Sequence, residues 1–187
     1  MNPTNLLFVS DRAGWRGWLR RNHAKECEVW LVYFRKSSGK PRVPYNDAVE
    51  EALCFGWIDS TVRRVDEFSF AQRFTPRRRG SVLSQANRER IRRLIAGRKM
   101  TKAGLAAVAH VFNPAKKDDF VVPKDVVRAL KAGGAWKNFL GMPEAYRRIR
   151  VAYIVARRRH GEEAFQKSLK HFVKMTAGNK RFGFVRD

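Results

Sequence analysis

The segment Glu28–Phe34, EVWLVYF, constrains the fold more than any other stretch of this chain. Val, Trp, Tyr and Phe crowd it, so it reads as a buried strand. A buried strand needs hydrogen-bonding neighbours, and two further runs supply them: Trp57–Arg64 and Phe68–Phe74, joined near Val65-Asp66-Glu67. Ile58, Val62, Phe68, Phe70 and Phe74 fall at mostly even spacing, as half-buried antiparallel strands require. Around these strands the apolar period changes to that of helices. Asp11 stands as an N-cap before Arg12–Asn22, whose Ala13, Trp15, Trp18 and Leu19 form a rough stripe. Ala48, Val49, Ala52, Leu53 and Phe55 recur at helical spacing over Tyr45–Phe55, with Gly56 as the stop. The expected fold class is therefore α+β: a small antiparallel three-stranded sheet flanked by helices, followed by a helical C-terminal module.

The remainder reads as helical once Thr75–Ser84 is passed, where Pro76 and Gly80 break regular structure. Ser84 caps a helix running to about Ala96, with Ile91, Leu94 and Ile95 as its apolar edge, and Thr101 caps Lys102–Phe112. Asn113-Pro114 and the Lys/Asp run after it form the best linker. Lys124–Ala132 stops at Gly133-Gly134; Pro143 opens a helix to Arg159; and Phe165, Leu169, Phe172 and Val173 stripe a last helix over about Glu162–Thr176. The expected organisation is a core over 1–112, a linker over 113–123, a helical module over 124–178 and a loose tail over 179–187. A chain of 187 residues with 44% hydrophobic residues, 13 Phe and 5 Trp has the means to bury such a core.

Charge bears on partners. Residues 1–59 hold nine Lys/Arg against seven Asp/Glu, residues 60–100 twelve against three, and residues 101–187 nineteen against seven. Of the formal +23, all but +2 thus falls after residue 59. Such a field attracts an anionic partner, with nucleic acid, an acidic protein or an anionic membrane surface as the candidates. Arg88, Arg92 and Arg93 on one helix, and Arg147, Arg150, Arg157 and Arg158 on another, make up the candidate polyanion-binding surface. No recognised nucleic-acid motif accompanies them, so contacts of that kind would be phosphate-directed and salt-sensitive.

The most site-like constellation is Trp57, Asp59, Arg73, Arg77, Arg78, Ser81, Ser84 and Asn87. Asp59 could orient a guanidinium from Arg73 or Arg77, the remaining arginines and serine hydroxyls could hold a carboxylate or phosphate, and Trp57 would offer a stacking face. The competing reading is a structural ion pair and a plain helix cap, which are commoner than ligand sites. No catalytic residue is assigned. Cys54 sits between Leu53 and Phe55 and reads as a buried structural cysteine, and nothing places His23 beside it. Glu50 and Glu51 are adjacent, so they should point to different helix faces and make a poor acid/base pair. His110, His160 and His171 have no metal-ligand spacing, and the glycines form neither a phosphate loop nor a dinucleotide fingerprint. No metal or cofactor is expected. With two cysteines, no leader-like N-terminus and no apolar stretch long enough to span a bilayer, the expected compartment is the cytoplasm.

One block has a recognisable order. Tyr45–Ser60 reads Y-x-x-A-V-E-E-A-L-C-F-G-W-I-D-S; R-F-T-P-R-R follows at Arg73–Arg78, then Ser81/Ser84/Asn87 and M-T-x-A-G-L at Met100–Leu105. Together with Trp15-x-x-Trp18-Leu19, His23 and Val29-Trp30-Leu31, this resembles the YdeI/OmpD-associated (bacteriocin-protection) family. Residues from about Val122 to Gly178 resemble that family's helical C-terminal module. Leu83 stands where the family often has tryptophan, and the segment after Ala156-Arg157 departs from its usual run. The resemblance implies roles in bacterial stress tolerance, envelope homeostasis and protection from peptide toxins, and supplies no reaction; the favoured reading is a non-enzymatic accessory protein that binds an anionic partner. Two alternatives are a small-ligand receptor or enzyme built on the Asp/Arg/Ser segment, and a protein-interaction module.

Overall fold

The computed structural model describes residues 5–115 and 120–183. The ends of the expected tail (184–187) and part of the expected linker (116–119) lie outside the described residues. Packing divides the chain into two units: Met1–Leu83 with Arg90–Pro114, and Ser84–Glu89 with Ala115–Asp187.

The first unit contains β1 (Leu6–Leu7), α1 (Arg12–Asn22), β2 (Val29–Phe34), α2 (Tyr45–Cys54), β3 (Trp57–Arg64), β4 (Ser69–Pro76) and α4 (Lys102–Val108). The helix between them, α3 (Gln85–Ala96), belongs to it from Arg90 onward. The three expected strands form, but among the described residues the sheet has four strands in the order β1-β2-β4-β3 and is mixed, because β1 runs parallel to β2. β1 pairs through only Leu6 and Leu7, too short a stretch to show periodicity. The two antiparallel ladders match Val29 with Phe74, Leu31 with Gln72 and Tyr33 with Phe70, and Asp59 with Phe74 across to β3.

Alternation along these strands decides what meets the helices. Val29, Leu31, Tyr33, Phe74 and Trp57 face a core completed by Trp15, Leu19, Val49, Leu53, Ile91 and Leu94. Aromatic geometry fixes its centre: Trp15 stacks on Trp18 at 5.4 Å and tilts against Phe74 at 5.2 Å, and Trp18 meets Trp57 edge-on at 5.8 Å. The opposite face carries the smaller cluster of Trp30, Val32 and Ala71. Side chains cap the helices as the sequence anticipates. Asp11 Oδ1 accepts the Gly14 N–H at 2.8 Å, and Thr101 Oγ1 accepts that of Gly104 at 3.2 Å. α4 ends at Val108 rather than Phe112.

The second unit is helical: α5 (Lys124–Ala132), α6 (Trp136–Gly141), α7 (Glu144–Ala156) and α8 (Glu162–Ala177). α6 is an addition to the expected set, held between Gly133-Gly134 and Pro143. α7 gives way to a 3₁₀ turn over Arg157–His160. Val126, Leu130, Phe139, Tyr146, Ile154, Phe165, Leu169 and Phe172 make its core. The segment expected to be a loose tail is anchored as far as Gly183. Phe182 packs on that core, edge-on to His171 at 4.8 Å, and its N–H reaches Tyr146 Oη at 3.2 Å.

Candidate functional site

Trp57 opens the segment the sequence singles out, and it is 1% exposed. Its ring is edge-on to Trp18, and its Nε1 donates to the His23 carbonyl at 3.1 Å. It is a core residue and offers no free stacking face.

Asp59 is not held by an arginine hydrogen bond. Its Oδ2 accepts from Tyr45 Oη at 3.0 Å and from Gln72 Nε2 at 2.8 Å. Arg73 is one residue beyond Gln72 on β4, so it projects from the other face of the sheet. There its Nε donates to Glu28 Oε2 at 2.8 Å, and its Nη2 pairs with the same oxygen. Strand parity thus separates two residues that sequence proximity had joined. Arg77 donates through Nη2 to the Ser81 carbonyl at 2.6 Å, and the Ser81 hydroxyl donates to the Arg78 carbonyl at 2.7 Å. Those bonds close the Arg77–Ser81 turn and leave the Arg78 and Arg79 side chains exposed. Ser84 and Asn87 group with the second unit, where Ser84 Oγ accepts the Asn87 N–H at 3.3 Å as a cap of α3.

Around Asp59 the structure assembles a different polar cluster. Burial pushes the Tyr45 hydroxyl up to about 12, with the Asp59 charge adding to it and Arg90 opposing. Burial likewise raises Tyr33, again helped by Asp59, and lowers Arg90. Among the described residues Tyr33 Oη is buried without a hydrogen-bond partner.

The main electrostatic feature of the first unit is one the sequence misjudges. Glu50 and Glu51 are 4% and 2% exposed, and both reach the guanidinium of Arg12. Arg12 donates through Nε to Glu51 Oε1 at 2.5 Å, and through Nη1 to Asp47 at 2.9 Å and Glu50 at 3.1 Å. Arg16 pairs with the second oxygen of Glu51, and Arg93 with the second oxygen of Glu50. Long carboxylate side chains from adjacent helical positions can bend to one planar donor, which simple face-counting overlooks. Arg12 and Arg16, four apart on α1, were the available signal. Arg93 is therefore a structural partner of α2. Beside this network, burial raises the Cys54 thiol to about 11, the Glu51 charge adds, and Arg16 opposes. That is the setting of an inert thiol.

The remaining candidate arginines divide by environment. Arg92 lies over the Phe112 ring at 5.4 Å. In the second unit Arg147 lies over Phe139 at 5.7 Å. Arg158 pairs with Asp125 and covers Phe165 at 3.8 Å. Arg150 is only 9% exposed. Arg88 and Arg157 are half-buried. Among the described residues, no group of three His, Cys, Asp or Glu side chains is placed to hold a metal, and no helix is long and apolar enough to cross a membrane.

These features define a basic α+β unit with an internal ion-pair network, joined in sequence to a helical unit rich in arginine–aromatic contacts. The chain belongs to the family described as a domain of unknown function (DUF8412), which matches residues 7–107. Residues 119–179 match the family described as "Bacteriocin-protection, YdeI or OmpD-Associated". The Tyr45–Leu105 motif block lies inside the first match, and the second covers the helical unit. No curated protein and no solved structure matches the chain.

Proposed function

We propose that this protein is a non-enzymatic accessory protein of the bacteriocin-protection or stress type, acting in the cytoplasm by binding an anionic partner through exposed arginines. The observation that carries the reading is how the acids are used. Asp47, Glu50 and Glu51 are committed to Arg12, Arg16 and Arg93, and Glu28 to Arg73. Arg78 and Arg79 stand exposed in the loop after β4, in a chain of formal charge +23. The match of residues 119–179 supports the accessory role. The free thiols of Cys27 and Cys54 support a reducing compartment.

The test is a titration of the full chain against single- and double-stranded nucleic acid and against anionic vesicles over a salt series. Binding should weaken linearly in log–log form. The double variant Arg78→Gln/Arg79→Gln should lower the duplex slope by about 2, since each phosphate contact contributes about 0.9. Absence of binding to all three probes at low salt would overturn the reading.

A further inference from the structure

The apolar stripe of α7 contains a guanidinium. Tyr146, Arg150 and Tyr153 recur at i, i+4 and i+7, so they share one helix face. Arg150 is 9% exposed, and its Nε is buried without a hydrogen-bond partner among the described residues. Its Cζ lies 5.2 Å from the Tyr153 ring centroid and 5.0 Å from that of Phe182. The chain at Gly183 is laid against the same group. Gly183 has a φ of +84°, and a Cβ there would come within 2.7 Å of Nη1 and 3.0 Å of Cζ. The ionisable neighbours that act on Arg150 are the phenols Tyr146 and Tyr153, with no carboxylate.

A buried cation without a counter-charge is costly, and aromatic faces compensate only part of that cost. Tyr146, 1% exposed, supplies a second group. Its Oη accepts the Phe182 N–H, while its own proton has no acceptor among the described residues. Tyr153 is half exposed, so one wall of this arrangement reaches solvent.

We propose that Arg150 and Tyr146 form a binding site for a monoanionic carboxylate borne on an apolar or aromatic group, with the Tyr153 and Phe182 rings as its walls. The planar fork of one guanidinium matches one carboxylate in shape and charge. A phosphate dianion between the same rings would leave a charge uncompensated, and so is the disfavoured occupant. The aromatic walls favour an apolar body behind the carboxylate. This site is separate from the exposed arginines of the surface reading, and it stands or falls independently of nucleic-acid or vesicle binding.

The experiment follows the Arg150 Nε–Hε resonance of the full chain by ¹⁵N-edited NMR, with benzoate, acetate, inorganic phosphate and chloride titrated at constant ionic strength. Benzoate should give a saturable one-to-one shift, about tenfold tighter than acetate. Its stabilising thermal shift should vanish in Arg150→Met and shrink severalfold in Tyr146→Phe. If Arg150→Met does not fold, the wild-type titration decides alone. An Nε–Hε signal unmoved by benzoate, or moved equally by chloride, would mean a plain cation–π clamp and overturn the site. Saturation by phosphate at lower concentration than by benzoate would overturn the carboxylate assignment.

Discussion

The two units differ in where some of their arginines rest, although each has both kinds of contact: Arg148 of the second unit pairs with Glu89, and Arg92 of the first lies over Phe112. In the first, Arg12, Arg16 and Arg93 converge on buried carboxylates of α2, and Arg73 takes Glu28. In the second, Arg147 and Arg150 lean on the rings of Phe139, Tyr153 and Phe182, and neither has an acid partner among the hydrogen bonds and ion pairs described. The difference shows why net charge alone is a poor guide to a binding surface. A guanidinium locked to a buried carboxylate is part of the fold. One resting on an aromatic face keeps hydrogen-bonding capacity for an anion.

The comparison breaks most visibly at Glu51. Glu51→Ala removes the carboxylate that Arg16 holds and one of the three on Arg12, which keeps Asp47 and Glu50, and removing one partner of a buried pair costs about 3–5 kcal/mol. Both arginines keep some exposure and can turn to water, which places the expected loss near the lower end, at about 3 kcal/mol. Arg150→Met should change stability by less than about 1 kcal/mol, because lost ring contacts offset the relief of an unpaired cation. Urea unfolding of both variants checks the pair. Equal losses would show that the second unit depends on Arg150 as the first depends on its carboxylates.

A second contrast lies in how closely the helices approach. In the first unit α4 docks its N-terminus on the end of α2, where the Cys54 carbonyl accepts from Thr101 N at 3.0 Å and Thr101 Oγ1 at 2.6 Å. A Cβ on Gly104 would fall 2.2 Å from that same carbonyl oxygen. In the second, a Cβ on Gly133 would fall 2.2 Å from Val173 Cγ1, the tip of a side chain. Backbone cannot yield as a valine rotamer can. Gly104→Ala should therefore cost about 2–3 kcal/mol and Gly133→Ala about 1 kcal/mol, across the usual overpacking range. Thermal unfolding of the two variants sharpens the comparison, and a reversal of their order would break it.

What the sequence made legible follows the same physics. Strands β2, β3 and β4 could be read because β-branched and aromatic residues concentrate there, and the caps at Asp11, Ser84 and Thr101 could be read because their chemistry is local. β1 could not, since two residues carry no period. α6 is one short helix between breakers and was passed over. The assignments made over the segment from Trp57 to Asn87 depended on parity and burial. Asp59 and Arg73 leave opposite faces of the sheet, and Trp57 belongs to the core. Glu50-Glu51 was the larger loss. Two adjacent acids inside A-V-E-E-A-L-C-F can only be buried if cations follow them in, and Arg12 and Arg16 were already spaced to do so.

The smallest effect tests exposed pairs, where the units should behave alike. Asp125 and Arg158 form an ion pair with both side chains more than 40% exposed. Burial raises the Asp125 carboxyl, but the Arg158 hydrogen bond and the Val126 N–H outweigh it and hold the group below its ordinary 3.8. A depressed folded value means the contribution is fully present above the unfolded value and is lost as pH falls through the folded one. Asp125→Asn should thus cost about 0.5 kcal/mol at pH 7, with the difference from wild type closing in acid. Glu28, held down mainly by the Arg73 hydrogen bond, should lose its contribution over the same acid range in the first unit. Urea midpoints for Asp125→Asn and Glu28→Gln, taken at pH 7 and in acid, at low and high salt, check both. A large or salt-insensitive loss at Asp125 would show that an exposed pair of the second unit is held as firmly as its buried Arg148–Glu89 pair, and the two exposed pairs would then not behave alike.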